Sequence, residues 1–428
     1  MISNRHPHTA ATEAGVRRHR PDYLIVLFMG ILSLLGLIVL YAISPARVEL
    51  INSNDAGSLD TNHFMQKQLL YLLVGLVAFG ITATISLKFW HKIREKLLWL
   101  SLGACGLLTV IGWLHIKLAQ CTYGACRWYD FGFFTFQPAE VLKFGLLIFL
   151  AGFLAQRIKT NRINNLRETL LPVGIILAVS LILIIGFQKD MGTGISIIGI
   201  VACMLFMGGI KLKYFAIGAG LIVAASVLVI LMTPHRLDRV ATFFAPEQNG
   251  DTTSYHITQA KIAIGSGGFV GKGLGNSVQA FGYLPEAVND SIFAILGEKF
   301  GFVGLVAIMA VFLGLLLRLL KITDNLTDPY LRLLVAGVFG WIGTQAIVNI
   351  GAMLGVFPLT GVTLPFVSFG GTSLLFIMAA SGLAFQVSRY TSHRMDSEVK
   401  EGTTYESTSS RRGVGRSRDA SPGRRQRT

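Results

Sequence analysis

Asp290 is the side chain of this sequence best placed for proton chemistry. It lies in Gly282-Tyr283-Leu284-Pro285-Glu286-Ala287-Val288-Asn289-Asp290-Ser291, where a long polar loop meets an apolar run that continues through Ile295 and Leu296 and, beyond Gly301, from Val303 to Leu317. A carboxylate at such a boundary can cap the helix that follows, pair with a cation, or take a proton in a reaction. Capping is the plain alternative, because Asn289, Asp290 and Ser291 are all favoured N-cap types.

Other ionisable residues stand inside or beside apolar runs. Glu140 and Lys143, in Phe136-Gln137-Pro138-Ala139-Glu140-Val141-Leu142-Lys143, are three apart and share a helix face. Pro138 suits the first turn of that helix. Charges in a spanning segment cost a few kcal/mol each and line a site or pathway, or lock two helices as an ion pair. Gln188-Lys189-Asp190-Met191-Gly192-Thr193 forms a tight turn in which capping is the favoured reading of Asp190.

The elements that must position these groups are membrane helices. Hydrophobic residues make up 52% of the chain and charged ones 14%, against about 25% charged in soluble domains. Ten windows are long and apolar enough to cross a bilayer: 23–44, 69–87, 97–116, 139–156, 170–187, 191–209, 214–233, 291–320, 331–354 and 366–386. The fold class is therefore an all-α polytopic membrane protein of about ten transmembrane helices, since backbone in lipid must bond within its own segment. Lys88, Arg94, Arg157, Arg162, Lys211 and Arg318 fall in the even-numbered connections. The positive-inside rule then puts both termini in the cytoplasm, with one large outer loop, 234–289, between helices 7 and 8. Residues 1–22 form an inner tail, 23–390 the membrane domain and 391–428 a second inner tail. No cleavable signal peptide is expected, because the first apolar segment is too long.

The net charge of +15 is not a nucleic-acid signature. Much of it sits in Arg17, Arg18 and Arg20 and in the Ser-, Gly- and Arg-rich tail, for which the anionic inner leaflet or a cytoplasmic protein is the expected partner. Cys105 and Cys203 fall in apolar windows, whereas Cys121 and Cys126 share the second outer loop, where either a disulfide or free thiols fit. The chain lacks zinc-ligand spacing, a Walker-type glycine loop and a nucleophile elbow, which argues against ATP hydrolysis and serine-hydrolase chemistry.

The long outer loop carries Arg236 and Arg239, a short amphipathic helix around Tyr255 to Ile264 with Ile257, Ala260 and Ile264 on one side, and the glycine-rich run Gly265 to Gly275 containing Lys272. Its glycines permit unusual backbone angles and close approach of a ligand. Arg236, Arg239 and Lys272 suit phosphate oxygens. Facing outward, they fit a lipid-linked phosphate better than a nucleotide.

Across about Tyr23 to Arg389 the sequence resembles the SEDS family of FtsW-, RodA- and SpoVE-like proteins. The resemblance rests on Gly124-Ala125-Cys126-Arg127-Trp128, Phe136 to Glu140 with Lys143, Gln188 to Thr193, Gly271 to Gly275, Leu284-Pro285-Glu286 through Asp290 to Gly297-Glu298, and Thr360 to Ser373. It implies a peptidoglycan glycosyltransferase that polymerises lipid II beside a class B penicillin-binding transpeptidase, with Asp290 as the essential acid. Arg127, Glu140, Lys143, Arg236, Arg239, Gln259, Lys272 and Glu298 are then candidate substrate contacts, with Glu140, Lys143 and Glu298 shaping a cavity beneath Asp290. Arg236, Arg239 or Lys272, or a divalent cation such as Mg or Mn, would balance the departing pyrophosphate. Lys189 and Lys299 depart from the family's usual proline and acid. The Val362-Thr363-Leu364-Pro365 spelling and the tailed termini resemble the division branch, which implies a septal location and divisome partners. The alternatives are a lipid II flippase using the buried charges as a pathway, an elongation-branch polymerase, and a scaffold in which every outer acid is expendable.

Overall fold

Lipid offers backbone amides no partner, so apolar runs of this length close their hydrogen bonds as helix. The computed structural model describes residues 20–54, 59–122, 125–132, 134–231 and 252–391. Residues 392–428, all but the first residue of the expected second inner tail, lie outside those described.

The helices are α1 (Tyr23–Asn54), α2 (His63–Thr84), α3 (Leu87–Trp113), α4 (Pro138–Lys159), α5 (Leu171–Leu181), α6 (Met191–Met207), α7 (Leu212–Leu231), α8 (Thr252–Ser266), α9 (Ile292–Asp324), α10 (Pro329–Met353) and α11 (Gly371–Val387). Eight helical spans among the described residues are long and apolar enough to cross a membrane, and α6 and the described part of α7 are shorter apolar helices. Together they correspond to the ten expected windows. The expected division at 188–190 also holds. Gln188 ends one helix, Lys189 turns at φ 54°, and Asp190 caps α6 by accepting from the Thr193 amide at 3.0 Å.

Burial is uneven. α4, α10 and α11 are mostly enclosed, whereas α2 and α5 keep most of their apolar surface outside, as expected of central and lipid-facing helices. At one end of the bundle Asp22 pairs with Arg318, and its amide donates to Ser388 Oγ at 2.9 Å. The start of α1 and the ends of α9 and α11 therefore meet.

Three differences from the sequence reading bear on the site. First, α1 runs past Ser44 to Asn54 with Pro45 inside it, and Leu50 packs against Gly282. Second, a three-stranded antiparallel sheet stands between α3 and α4, where only a loop was expected: β1 (Ala119–Thr122), β2 (Ala125–Asp130) and β3 (Thr135–Phe136). Cys121 and Cys126 lie opposite one another and are joined by a disulfide, and the Tyr129 hydroxyl ties β2 to α3 through the Ala104 carbonyl at 2.7 Å. Third, residues 366–370, expected as the start of the last span, are irregular, and Phe366 has φ 64°. Their polar groups go elsewhere: Ser368 Oγ accepts from the Leu364 amide at 2.8 Å, and the Phe369 amide donates to the Val288 carbonyl at 2.9 Å.

The most consequential feature is a break in α9. Gly301 takes φ 64° and ψ −166°, which interrupts the helix within its apolar sequence. The freed groups are paired by the glycine-rich segment after α8. The amides of Lys272 and Gly273 donate to the carbonyls of Glu298 and Lys299 at 2.9 and 3.0 Å, while those of Phe302 and Val303 donate to the carbonyls of Gly268 and Phe269 at 2.8 and 3.1 Å. A Cβ at Gly267 would collide with the Gly297 carbonyl, and one at Gly271 with that of Lys299. These glycines serve close approach to a helix, which corrects the expectation that they make room for a ligand.

Gly271 also sits at φ 88°. Gly271→Ala should therefore destabilise the fold by about 2 kcal/mol or more, read as a fall in thermal midpoint in detergent. Gly275→Ala, with nothing within 4 Å of an added Cβ, should leave the midpoint nearly unchanged.

Candidate functional site

The turn that carries Asp290 is built from its own backbone and roofed by two other elements. Glu286 adopts φ 49°, and its carbonyl accepts from the amides of Asn289 at 2.9 Å and Ser291 at 3.2 Å. Asn289 Nδ2 donates to Glu286 Oε2 at 2.5 Å. From α10, the Asn349 amide group donates to both the Asp290 and the Val362 carbonyls, each at 2.7 Å. One buried side chain thus bridges the turn to the 360–370 loop.

The Asp290 side chain is 9% exposed, and its Oδ1 has no hydrogen-bond partner among the described residues. Ser291, not Asp290, holds the N-cap position of α9, and no side chain caps that helix. Capping is therefore not the job of Asp290. Burial first, and the neighbouring Glu286 carboxylate second, push its pKa up to about 7, against the lowering effect of nearby Asp290 and Ser291 hydrogen-bond donors. A carboxyl that titrates near neutrality can accept a proton and release it again.

His256, in the first turns of α8, places Nε2 2.5 Å from Ser291 Oγ, and the Ser291 hydroxyl donates to the Pro285 carbonyl at 2.9 Å. Burial lowers the His256 pKa, with Glu286 opposing the shift. α8 shows the expected amphipathic pattern, burying Ile257, Ala260 and Ala263. Gln259 is half-buried on that helix.

Glu140 and Lys143 form a closed pair at 2.8 Å in the core, and the Lys143 ammonium lies 4.8 Å over the Trp341 ring. Trp341 belongs to the same α10 that carries Asn349. With Gln345 they recur every four residues and so share one face over about 12 Å. Trp341, Gln345 and Asn349 are all nearly fully buried, and Glu140 Oε2, Gln345 Oε1 and Asn349 Oδ1 have no partner among the described residues. α10 is therefore the rail that links the Glu140–Lys143 pair to the Asp290 turn.

Other predicted site residues are committed to the scaffold. Arg127 donates to the carbonyls of Gln188 at 3.2 Å and Lys189 at 2.7 Å, clamping the disulfide-bonded sheet onto the turn before α6. Gln137 donates to Asp190 at 2.9 Å, and Gly192 lies against the Thr360 carbonyl. Glu298 holds the segment after the glycines, accepting from Ser277 Oγ at 2.6 Å and the Val278 amide at 2.9 Å. Its Oε1 is 3.4 Å from the half-buried Lys272 ammonium, so Lys272, expected to meet phosphate oxygens, already has a carboxylate beside it. Lys299 donates to the Leu274 carbonyl from the same helix turn. Arg236 and Arg239 lie outside the described residues. Among the described residues no group of three or more His, Cys, Asp or Glu side chains is arranged to hold a metal ion.

His256 and Asn349 were not singled out by the sequence reading, and Ser291 entered it only as a candidate helix cap. An amide within an apolar run is itself a warning of function, and the spacing of Trp341, Gln345 and Asn349 was visible.

The comparisons agree with this architecture. The profile of the FtsW, RodA and SpoVE family, described as cell cycle proteins, matches residues 22–393. Stage V sporulation protein E of Bacillus subtilis is 32% identical over 375 residues, covering 87% of this chain and 98% of that protein. A protein of Escherichia coli O6:H1 named probable peptidoglycan glycosyltransferase FtsW is 35% identical, covering 75% of this chain and 76% of the relative. A solved chain from a peptidoglycan synthase complex that coordinates polymerization and crosslinking superposes with a TM-score of 0.68 at 24% identity, covering 86% of this chain and 98% of that one. At that identity the likeness is one of fold.

Replacing Asn349 by Ala strands two buried carbonyls, at about 1–3 kcal/mol each. Asn349→Ala should clearly lower the thermal midpoint, whereas Ile347→Ala, at a site 60% exposed on the same helix, should lower it far less.

Proposed function

The chain belongs to the FtsW/RodA/SpoVE family, and from that premise we propose that it is a peptidoglycan glycosyltransferase that polymerises lipid II at the outer face of the bacterial cytoplasmic membrane, with Asp290 as general base. It is a multi-pass membrane protein. The observation that carries the base assignment is the buried, unpartnered Asp290 Oδ1 of a carboxyl titrating near 7.

In the proposed reaction a sugar hydroxyl of one lipid II molecule gives its proton to Asp290 as its oxygen attacks the anomeric carbon of the second sugar chain. The bond from that carbon to the pyrophosphate oxygen breaks, inverting the centre, and undecaprenyl pyrophosphate leaves as an anion. Cations lower the barrier where that charge develops. Arg236, Arg239 and Lys272 are the candidates, with Lys272 the weaker because Glu298 already shares its charge. Glu140 and Lys143, joined to the turn through α10, would shape the floor of the site.

The orientation belongs to the same proposal. The meeting of Asp22 with Arg318 and Ser388 favours both termini on one side, and basic residues in the connections at that end favour the cytoplasm. The Cys121–Cys126 disulfide suits the opposite, oxidising side. A crosslinking transpeptidase partner is supported by the likeness to a chain of a peptidoglycan synthase complex that coordinates polymerization and crosslinking, and septal placement is supported by the FtsW name of relatives alone. Names such as stage V sporulation protein E keep a sporulation role as the competing assignment.

The flippase reading draws on the same buried charges. Its weakness is that Glu140 and Lys143 satisfy one another at 2.8 Å, as in a helix lock. The direct experiment is polymerisation of labelled lipid II by the full chain purified with its transpeptidase. Native protein should make glycan and Asp290→Asn none, with activity falling as pH drops below about 7, because the base works only when ionised. Equal polymerisation by both would remove Asp290 from the chemistry. If neither polymerised although both folded and bound lipid II, transport would move ahead.

Stability should run the other way. Because burial raises the folded-state pKa of Asp290 above the ordinary value of 3.8, the stabilisation from its neutral form is complete below about pH 4 and is lost as pH rises through about 7. Asp290→Asn should therefore match native stability in acid and exceed it at pH 8, as followed by thermal midpoint.

A further inference from the structure

The base assignment leaves His256 and Ser291 without a role, yet they form a side-chain contact that reaches the Asp290 turn from α8. Ser291 Oγ is 2.5 Å from His256 Nε2 and 2.9 Å from the Pro285 carbonyl. A serine hydroxyl has one proton to give and two lone pairs. With that proton on the Pro285 carbonyl, only an Nε2–H on His256 completes the short contact, and burial, which lowers the His256 pKa, favours the neutral ring that carries it. The Asp290 carboxylate stands on the preceding residue, and the Ser291 side chain is among the donors that lower its pKa, after the backbone amides of Asp290 and Ser291.

We propose that His256 and Ser291 are a positioning pair for Asp290. His256 donates Nε2–H to Ser291 Oγ, and the single Ser291 proton moves between the Pro285 carbonyl and the Asp290 carboxylate as Asp290 gains or loses the substrate proton.

The inference rests on Asp290 being the base and adds what tunes it. While Asp290 is ionised, the Ser291 hydroxyl turns to it and stabilises the charge. Once Asp290 holds the substrate's proton, the hydroxyl swings back to Pro285, and no bond to a heavy atom is made or broken. His256 stays bound to the oxygen in both states, which keeps Ser291 Oγ in place while its hydrogen rotates. Burial favours a neutral His256 through the working pH range.

The surrounding groups leave this pair little competition. On the turn itself Glu286 is the charged neighbour acting on both Asp290 and His256. α10 contributes the neutral Asn349, the segment 355–370 has no charged residue, and α1 meets the turn through Leu50. Among the described residues the Asp290 and Ser291 backbone amides and the Ser291 hydroxyl favour the ionised base, and of these the hydroxyl, held by His256, is the one a side-chain substitution can remove.

The test is the pH profile of lipid II polymerisation by the full chain with its transpeptidase, from about pH 5.5 to 9, for native protein, Ser291→Ala, His256→Leu, His256→Gln and Asp290→Asn. Removing the hydroxyl should move the acid limb of Ser291→Ala up by about one pH unit, so that its rate falls about tenfold below the limb and rejoins the native rate in alkali. His256→Leu should move the limb in the same direction. His256→Gln, which keeps an N–H donor of similar reach, should restore the native midpoint, and Ser291→Ala combined with His256→Leu should move it no further than Ser291→Ala alone. Should Ser291→Ala fail to fold, the contrast between His256→Leu and His256→Gln decides. A merely structural pair would scale the rate at every pH with the midpoint fixed, and that result overturns the inference while an inactive Asp290→Asn leaves the base assignment standing. Polymerisation by Asp290→Asn would overturn the base assignment and this inference together.

Discussion

A helix that breaks inside an apolar protein must find new partners for about four backbone groups, each costing on the order of 1–3 kcal/mol if left bare. The break in α9 at Gly301 imposes that demand, and the segment from Gly267 to Gly273 meets it with two amides and two carbonyls. Much of the site's frame follows from this exchange. The glycines are needed because backbone meets backbone, and the chain leaving them is held by Glu298 and Lys299 from the turn before the break. The Asp290 turn then closes the short path from that segment back to the start of α9. The break therefore fixes both ends of the segment that carries Asp290.

A second constraint concerns the cost of burying a base. Water would keep a carboxylate in its ordinary acidic range, too weak a base to hold a hydroxyl proton, whereas full enclosure would leave it permanently protonated. Asp290 lies between these limits, because it is mostly covered, has one oxygen without a partner, and is near donors on its own turn. The surrounding hydrogen bonds go mainly to its backbone. Asn349 binds the Asp290 carbonyl and leaves the carboxyl alone, so the turn can be rigid while its acid stays available.

Helices were legible because hydropathy over 20 residues is a local property. The ten apolar runs, the Asp190 cap and the Glu140–Lys143 pair follow from composition and spacing within one segment. What sequence could not show is which distant backbone meets which side chain. Lys272 was read as a phosphate contact because Glu298 is 26 residues away in the chain, and Arg127 as a substrate contact because the two carbonyls it clamps belong to another turn. The glycine run was read as ligand space for the same reason, since nothing local announces that another helix will be broken to receive it. The three-stranded sheet escaped because two of its strands are short and their pairing depends on a disulfide that spacing alone left open.

The distribution of commitments among the charged residues narrows what the site can do. Glu140 with Lys143, Glu298 with Lys272, Asp190 with Gln137 and Arg127 with two carbonyls each hold a partner, although Glu140 keeps Oε2 without one among the described residues. A transport path built on these groups would have to break the buried Glu140–Lys143 pair, and removing one partner of such a pair costs about 3–5 kcal/mol. A polymerase asks less of them, because it needs a stiff floor and one group that changes protonation during turnover. Asp290 is the buried acid of the described turn with an oxygen to spare, and its neighbours Ser291 and His256 can follow its change of charge by rotating a hydroxyl. That economy of movement favours catalysis at a fixed surface over carriage through the bundle.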